Sequence, residues 1–170
     1  MANPNPTLLH LEDDGTFPNN MLPVILWRRA IHITDANGAE AIEQRFRDNG
    51  WTGIWRNGIF TWHHYHATAH EALGIARGSV TVQLGGPSGE TLELEAGDIV
   101  LLPAGTAHRN LGQSGDLLVI GAYPPGQRPD MLRGEPGERP GADRAIAAVQ
   151  LPERDPVTGA DGPPEPWRQS

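Results

Sequence analysis

Four of the chain's seven histidines fall within Gly58 to Gly78, GIFTWHHYHATAHEALGIARG, as His63, His64, His66 and His70, with Glu71 following at once. Imidazoles beside a carboxylate suit a divalent transition metal such as Fe, Mn, Ni, Zn or Cu, whereas all-oxygen sites suit Mg and Ca. Cysteine is absent, which excludes thiolate nucleophiles and Cys-ligated zinc, so any metal must rest on His, Asp or Glu. Any one of these histidines alone reads as an ordinary core or surface residue; the cluster does not. His66 and His70 also have helical metal-pair spacing, but the zinc protease order is H-E-x-x-H, and here the glutamate follows the second histidine.

Positioning such donors calls for strands. Asn57-Gly58 is a type I′ hairpin signal that would join a strand over Trp51 to Arg56 with one over Ile59 to His66. Alternation along the second strand places Phe60, Trp62, His64 and His66 on one face, with the two aromatic rings lining a barrel interior, and turns His63 and Tyr65 away. A strand over Glu71 to Arg77 then carries Glu71, Leu73 and Ile75 on one face. Further strands follow over residues 80–84, 91–95, 99–102, 106–111 with His108, and 117–123. Upstream, Pro23 to Ile31 reads as a first strand, and residues 1–20 as a polar arm. One helix is expected over about 36–49, capped by Asp35 or Asn37, carrying Ala39, Ile42 and Phe46 at helical spacing and stopped by Gly50. About eight short strands between tight turns, in a chain with 21 glycines and 16 prolines, indicate an all-β sandwich or small barrel.

At 170 residues the chain is of single-domain length. Ten of its sixteen prolines lie in the tail over residues 124–170. Within the tail, Ala145 to Leu151 reads as an edge strand, and Ile146, Val149, Leu151, Val157 and Trp167 are spaced anchors for docking on the barrel. The first residues lack a basic region followed by an apolar one, and no run approaches a membrane span, so a soluble cytoplasmic protein is expected. With 21 acidic against 13 basic residues and no basic cluster, a nucleic-acid partner is disfavoured.

Two spaced motifs run through these strands. The first is Gly58-x5-His64-x-His66-x4-Glu71-x6-Gly78; the second is Gly97-x5-Pro103-x-Gly105-x2-His108, with Asn110 one position past the place adjoining the histidine and Gly112 where the motif's asparagine would stand. Together they resemble the paired motifs of the cupins. HYHATAHEALGIARG, GDIVLLPAGTAH and the tail from GAYPPGQ to LPERDPVTGADGP resemble the YjlB-like branch of small bacterial cupins, over roughly residues 20–168. The resemblance implies a double-stranded β-helix, the jelly-roll barrel, here with an N-terminal helix and a long Pro/Gly-rich C-terminal tail. It also implies a metal held by His64, His66, Glu71 and His108, and a homodimer formed through edge strands.

The residues lead to the same four donors. His64 and His66 are one two-residue step apart, Glu71 returns on the next strand, and His108 follows a Pro-x-Gly turn. Phe60, Trp62, His63 and His70 are candidate pocket or supporting residues. An octahedral ion on four ligands keeps two positions for substrate or dioxygen. The expected activity is that of a metal-dependent oxygenase or isomerase on a small organic molecule. The alternative is a small-ligand or metal-binding sensor without catalysis, since no dedicated acid, base or nucleophile stands out beyond the ligands. Fold alone cannot separate these two.

Overall fold

The computed structural model describes residues 5–34 and 36–168. Nine strands make two antiparallel sheets. They are β1 (Thr7–Leu11), β2 (Asn20–Trp27), β3 (Thr52–Asn57), β4 (Glu71–Arg77), β5 (Ser79–Leu84), β6 (Glu90–Glu95), β7 (Ile99–Leu102), β8 (His108–Gln113) and β9 (Leu118–Tyr123). The larger sheet has the order β1-β2-β7-β4-β9-β3 and the smaller β6-β5-β8. Helix α1 spans Gly38–Asp48 and α2 spans Gly141–Ala148. Among the described residues no helix is long and apolar enough to cross a membrane.

Strand alternation builds two cores on the larger sheet. Its inner face sends Val24, Leu26, Leu73, Ile75, Val100, Leu102 and Val119 against Val80, Val82, Leu84 and Leu94 of the smaller sheet. The outer face, with Ile25, Trp27, Ala72, Ile99, Leu101 and Ile120, is covered by Ile42 and Phe46 of α1 and by Val157 and Trp167 of the tail. Central strands covered on both faces read as continuous apolar runs, and β7 is buried throughout. Helix α1 comes close because Gly74 has no side chain: a Cβ there would lie 2.7 Å from Ile42 Cγ2.

Several elements differ from what local pattern predicts. Residues 59–66 are not a strand, and β3 pairs with β9 instead of with them. Neither Asn57 nor Gly58 adopts the positive φ that a type I′ turn requires. Residues 7–11, within the expected arm, add β1 to the sheet by pairing with β2. The first strand stops at Trp27, short of Ile31, because Arg29 turns the chain at φ 52. Buried Asp98 holds that turn, accepting from Arg29 N at 3.0 Å and Arg28 Nη1 at 2.8 Å. Ala145 to Leu151 is no edge strand: residues 141–148 are helical, rich in alanine, the best helix former, with an Arg139–Asp143 ion pair at their start. Of the expected tail anchors, Val157 and Trp167 are buried, while Leu151 is 45% exposed. Asn37 stands at the N-cap of α1, and Asp35, the other expected cap, lies outside the described residues.

Candidate metal centre

Glu71 opens β4 on its inner face, where Leu73 and Ile75 follow it into the core between the sheets. His108 opens β8 in the facing sheet. His64 and His66 come from the irregular stretch after β3, yet local alternation survives there. Tyr65 between them points away, paired backbone to backbone with Leu132, and buries its ring with Phe17, Ala67 and Ala107. Reciprocal backbone bonds tie the stretch to β8: His64 N donates to His108 O at 3.2 Å and His108 N to His64 O at 2.9 Å. Gly105 N donates to His66 O at 2.7 Å, lacing the second motif to the first. At Gly105, φ is +93° and a Cβ would lie 2.4 Å from Asn19 O, so this turn needs glycine.

His64, His66 and His108 are all buried, and each offers a ring nitrogen within 4.8 Å of the others. The hydrogen bonds decide which nitrogen. Nδ1 of His64 contacts Trp62 O at 3.0 Å, Nδ1 of His66 contacts Asp130 O at 2.5 Å, and Nδ1 of His108 contacts Thr106 O at 2.9 Å. A carbonyl can only accept, so all three Nδ1 atoms carry hydrogen and donate, leaving each Nε2 as the donor to a metal. Metal-binding imidazoles are oriented in this way. Glu71 Oε1 lies 3.4 Å from Nε2 of His66 and 3.4 Å from Nε2 of His108. The three imidazoles therefore fit a divalent transition metal by type, tautomer and convergence.

Electrostatics couple the same groups. Burial opposes charge on both His66 and Glu71, but their mutual attraction wins. The His66 imidazolium is pushed up to about 9. Glu71 is held below the usual carboxylate range by the attraction of the His66 imidazolium and by its contacts with His108 and His66. His64 is pushed down to about 3, by burial first and then by the neighbouring His108. The other carboxylate oxygen is also engaged. Tyr123 OH donates to Glu71 Oε2 at 2.9 Å, and Trp55 Nε1 donates to Tyr123 OH at 2.8 Å. Glycines seat both rings: a Cβ at Gly121 would overlap the Trp55 indole, and one at Gly53 would lie 3.0 Å from Tyr123 Cδ2.

These groups open onto a cavity of about 260 Å³, whose apolar wall includes Trp55, Ile59, Phe60, Leu73 and Met131. Phe60 is 44% exposed and stacks on Trp62 at 4.2 Å; the pair stands at the mouth and does not fill the interior. Arg133 lies over the Trp62 ring at 4.4 Å. His63 turns away from the cavity, its ring 5.4 Å from Phe17. His70 is buried on the far side, accepting from Ala104 N at 2.9 Å and packing 4.9 Å from Trp167, where burial pushes it down to about 4. It braces the turn that carries the second motif.

Three contributors escape sequence reasoning. Tyr123 and Trp55 carried a weak signal, since they sit on inner-face positions of their strands. Asp130 carried none. Besides its carbonyl on His66, its carboxylate accepts from Ala67 N at 2.6 Å and Thr68 N at 3.3 Å, so the segment 127–132 straps the histidine stretch from outside. The asparagine displaced from the second motif is also explained. A one-residue bulge in β8 sets Thr81 opposite Gly112 and Val82 opposite Asn110. Asn110 is buried there, accepting from Gly112 N at 2.7 Å, while its own N donates to Phe60 O at 2.8 Å.

The two-sheet antiparallel fold, with motif histidines clustered between the sheets, defines a cupin, and the chain belongs to that family. Residues 52–120 match the Cupin domain. The uncharacterized protein YjlB of Bacillus subtilis (strain 168) is 39% identical over 152 residues, 89% of this chain and 89% of its own. This is the branch to which the motifs and tail pointed. Among solved structures, acireductone dioxygenase from Bacillus anthracis, with a cadmium ion in its active center, is 19% identical, covers 54% of this chain and 62% of its own, and has a TM-score of 0.38. RmlC from Streptococcus suis, in complex with dTDP-D-xylose, is 11% identical over 69% of each chain, with a TM-score of 0.34.

Proposed function

We propose that this protein is a metal-dependent cupin enzyme, of oxygenase or isomerase type, acting on a small organic molecule in the cavity. His64, His66, His108 and Glu71 hold one divalent ion of the Fe, Mn, Ni, Zn and Cu group. The observation that carries the reading is the set of three Nδ1–H to carbonyl bonds, which leaves three Nε2 atoms converging beside a buried carboxylate. When bound, the metal supplies Lewis acidity or a site for activating oxygen. The protein's own residues do the rest. Carbonyls of Trp62, Asp130 and Thr106 fix the imidazole tautomers, and Tyr123 engages Glu71 Oε2 so that Oε1 faces the histidines. An apolar molecule seated against the wall would displace water from the reacting centre.

The test is elemental analysis of protein purified without a tag, beside a His64→Ala/His66→Ala variant. About one equivalent in the wild type and none in the variant is expected; equal content in both refutes the site. The reading as a non-catalytic ligand-binding or sensor module has its own support. Among the described residues no uncommitted acid or base lines the cavity beyond the ligands, because Tyr123 is held between Trp55 and Glu71. Turnover of a small-molecule panel, with and without air, separates the readings. Cytoplasmic residence and a homodimer belong to the same proposal. The cysteine-free composition agrees with the former. For the latter, β1 and β3 end the larger sheet with no further strand beyond either among the described residues, leaving edges that a second copy would extend.

A further inference from the structure

We infer that the cavity selects a small molecule with one metal-binding head and an uncharged, apolar body, and rejects molecules carrying a second charge remote from that head. The inference rests on the metal-centre reading and concerns the remainder of the wall. Apart from the ligands, its polar groups are engaged or at the rim. The Tyr123 hydroxyl lies between Trp55 Nε1 and Glu71 Oε2, Gly58 N is taken by Asn57 Oδ1 at 2.8 Å, and Asn57 is itself exposed.

Apart from the ligand histidines, no cationic side chain among the described residues lines the cavity. All 13 basic residues of the chain are arginines, and none is part of the wall. Arg56, on β3 near the rim, is spent in a bidentate pair with Glu43 of α1, with both contacts at 2.8 Å. Arg133 lies over Trp62, outside the lining. A carboxylate or phosphate at the far end of a bound molecule would lose water and gain no partner in exchange. A remote ammonium fares no better, because the wall's carboxylate, Glu71, is already shared among Tyr123 and the histidines.

The apolar residues complete the selection. Phe60 and Met131 stand at the opening, each 44% exposed, and present the kind of surface that an apolar body would cover. The volume of about 260 Å³ sets the size: at about 30 Å³ for each water-sized portion, it admits a molecule of about nine heavy atoms.

The probes are two hydroxamates with the same head and matched size, 4-methylpentanohydroxamate and succinic acid monohydroxamate, which end in an isopropyl group and a carboxylate. Each is titrated into cobalt(II)-loaded protein and followed by the visible spectrum of the metal. The isopropyl probe is expected to bind at least about tenfold more tightly, the factor that burying two methyl groups supplies. Met131→Arg, which adds a cation at the opening, is expected to shrink that preference or invert it with cobalt uptake unchanged. Equal or tighter binding of the carboxylate probe by wild type overturns the selection and leaves the metal centre standing. An unchanged preference in Met131→Arg overturns the placement of the remote end. Failure to take up cobalt overturns the metal reading and this inference with it.

Discussion

Replacing Tyr123 by Phe isolates one hydroxyl in the outer layer of the centre. The ring should stay in place, because it is buried and seated against Gly53. What disappears is the donor to Glu71 Oε2 at 2.9 Å and the acceptor for Trp55 Nε1 at 2.8 Å. A hydrogen bond to a charged group contributes about 1.5–3 kcal/mol, and loss of an outer partner typically costs a metal site about 10–100-fold in affinity. Those two scales agree, since tenfold in affinity is about 1.4 kcal/mol. The expected result is therefore a 10–100-fold weaker dissociation constant for zinc or cobalt, read by competition with a chromogenic chelator, in a protein that remains folded. Trp55→Phe keeps the tyrosine and its hydroxyl, so its effect on metal affinity should be several-fold smaller. Tyr123→Phe binding metal within twofold of wild type, with an unchanged melting temperature, would refute the role assigned to the hydroxyl.

Other outcomes follow from the same geometry. Asp130→Ala frees the amides of Ala67 and Thr68, and about 1–3 kcal/mol of stability with a measurable share of metal affinity should go with it. Asp130→Asn keeps the side-chain oxygen and should recover most of both; calorimetry and chelator competition, with alanine matching wild type, would count against the strap. In the metal-free protein, His66 is raised to about 9, so its contribution is complete below the unfolded value near 6.5 and lost as pH rises through about 9. Glu71 is lowered, so its contribution is present above about 4.5 and lost as pH falls through its folded value. Stability of this form should peak between those limits, and metal binding should release about one proton from His66 at neutral pH, measurable as an affinity that rises between pH 6.5 and 9. A flat profile would contradict the coupling. Trp167→Ala removes a 1%-exposed indole and its Nε1 bond to Pro23 O at 2.8 Å. It should cost about 3–5 kcal/mol, roughly 6–20 °C in Tm by thermal melting, whereas no change would mean that the tail is not docked in solution.

The motif spacings carry the candidate ligands because they encode geometry that survives changes in local structure. His64 and His66 were expected on a regular strand; they reach the cavity from an irregular stretch, held in alternation by Tyr65 and its pairing with Leu132. The Asn57-Gly58 hairpin fails because β9 offers β3 a full partner in the sheet, and short-range turn chemistry cannot register that competitor. Ala145 to Leu151 misleads for a related reason: a few apolar residues do not fix a period, and the helix begins at Gly141, before them. His63 and His70 share the residue type of the candidate ligands yet face Phe17 and Trp167, and only the fold separates them. Asp130 lies beyond reach of any motif, since its contribution to His66 is a backbone carbonyl, which every residue possesses.

That carbonyl has a consequence for how the protein is made. His66 and Asp130 are 64 residues apart, and Asp130 lies beyond the matched 52–120 region. At about 5–20 residues per second, a ribosome needs roughly 3–13 s to pass from one to the other. Over the last 22 residues of that interval, from His108 to Asp130 and roughly 1–4 s, the two motifs are complete while His66 lacks the partner that sets its tautomer. On the proposed metal reading, loading of the centre would therefore be a late event in biosynthesis, following emergence of the strap, and a nascent chain paused before Asp130 would present its histidines with the His66 tautomer not yet set.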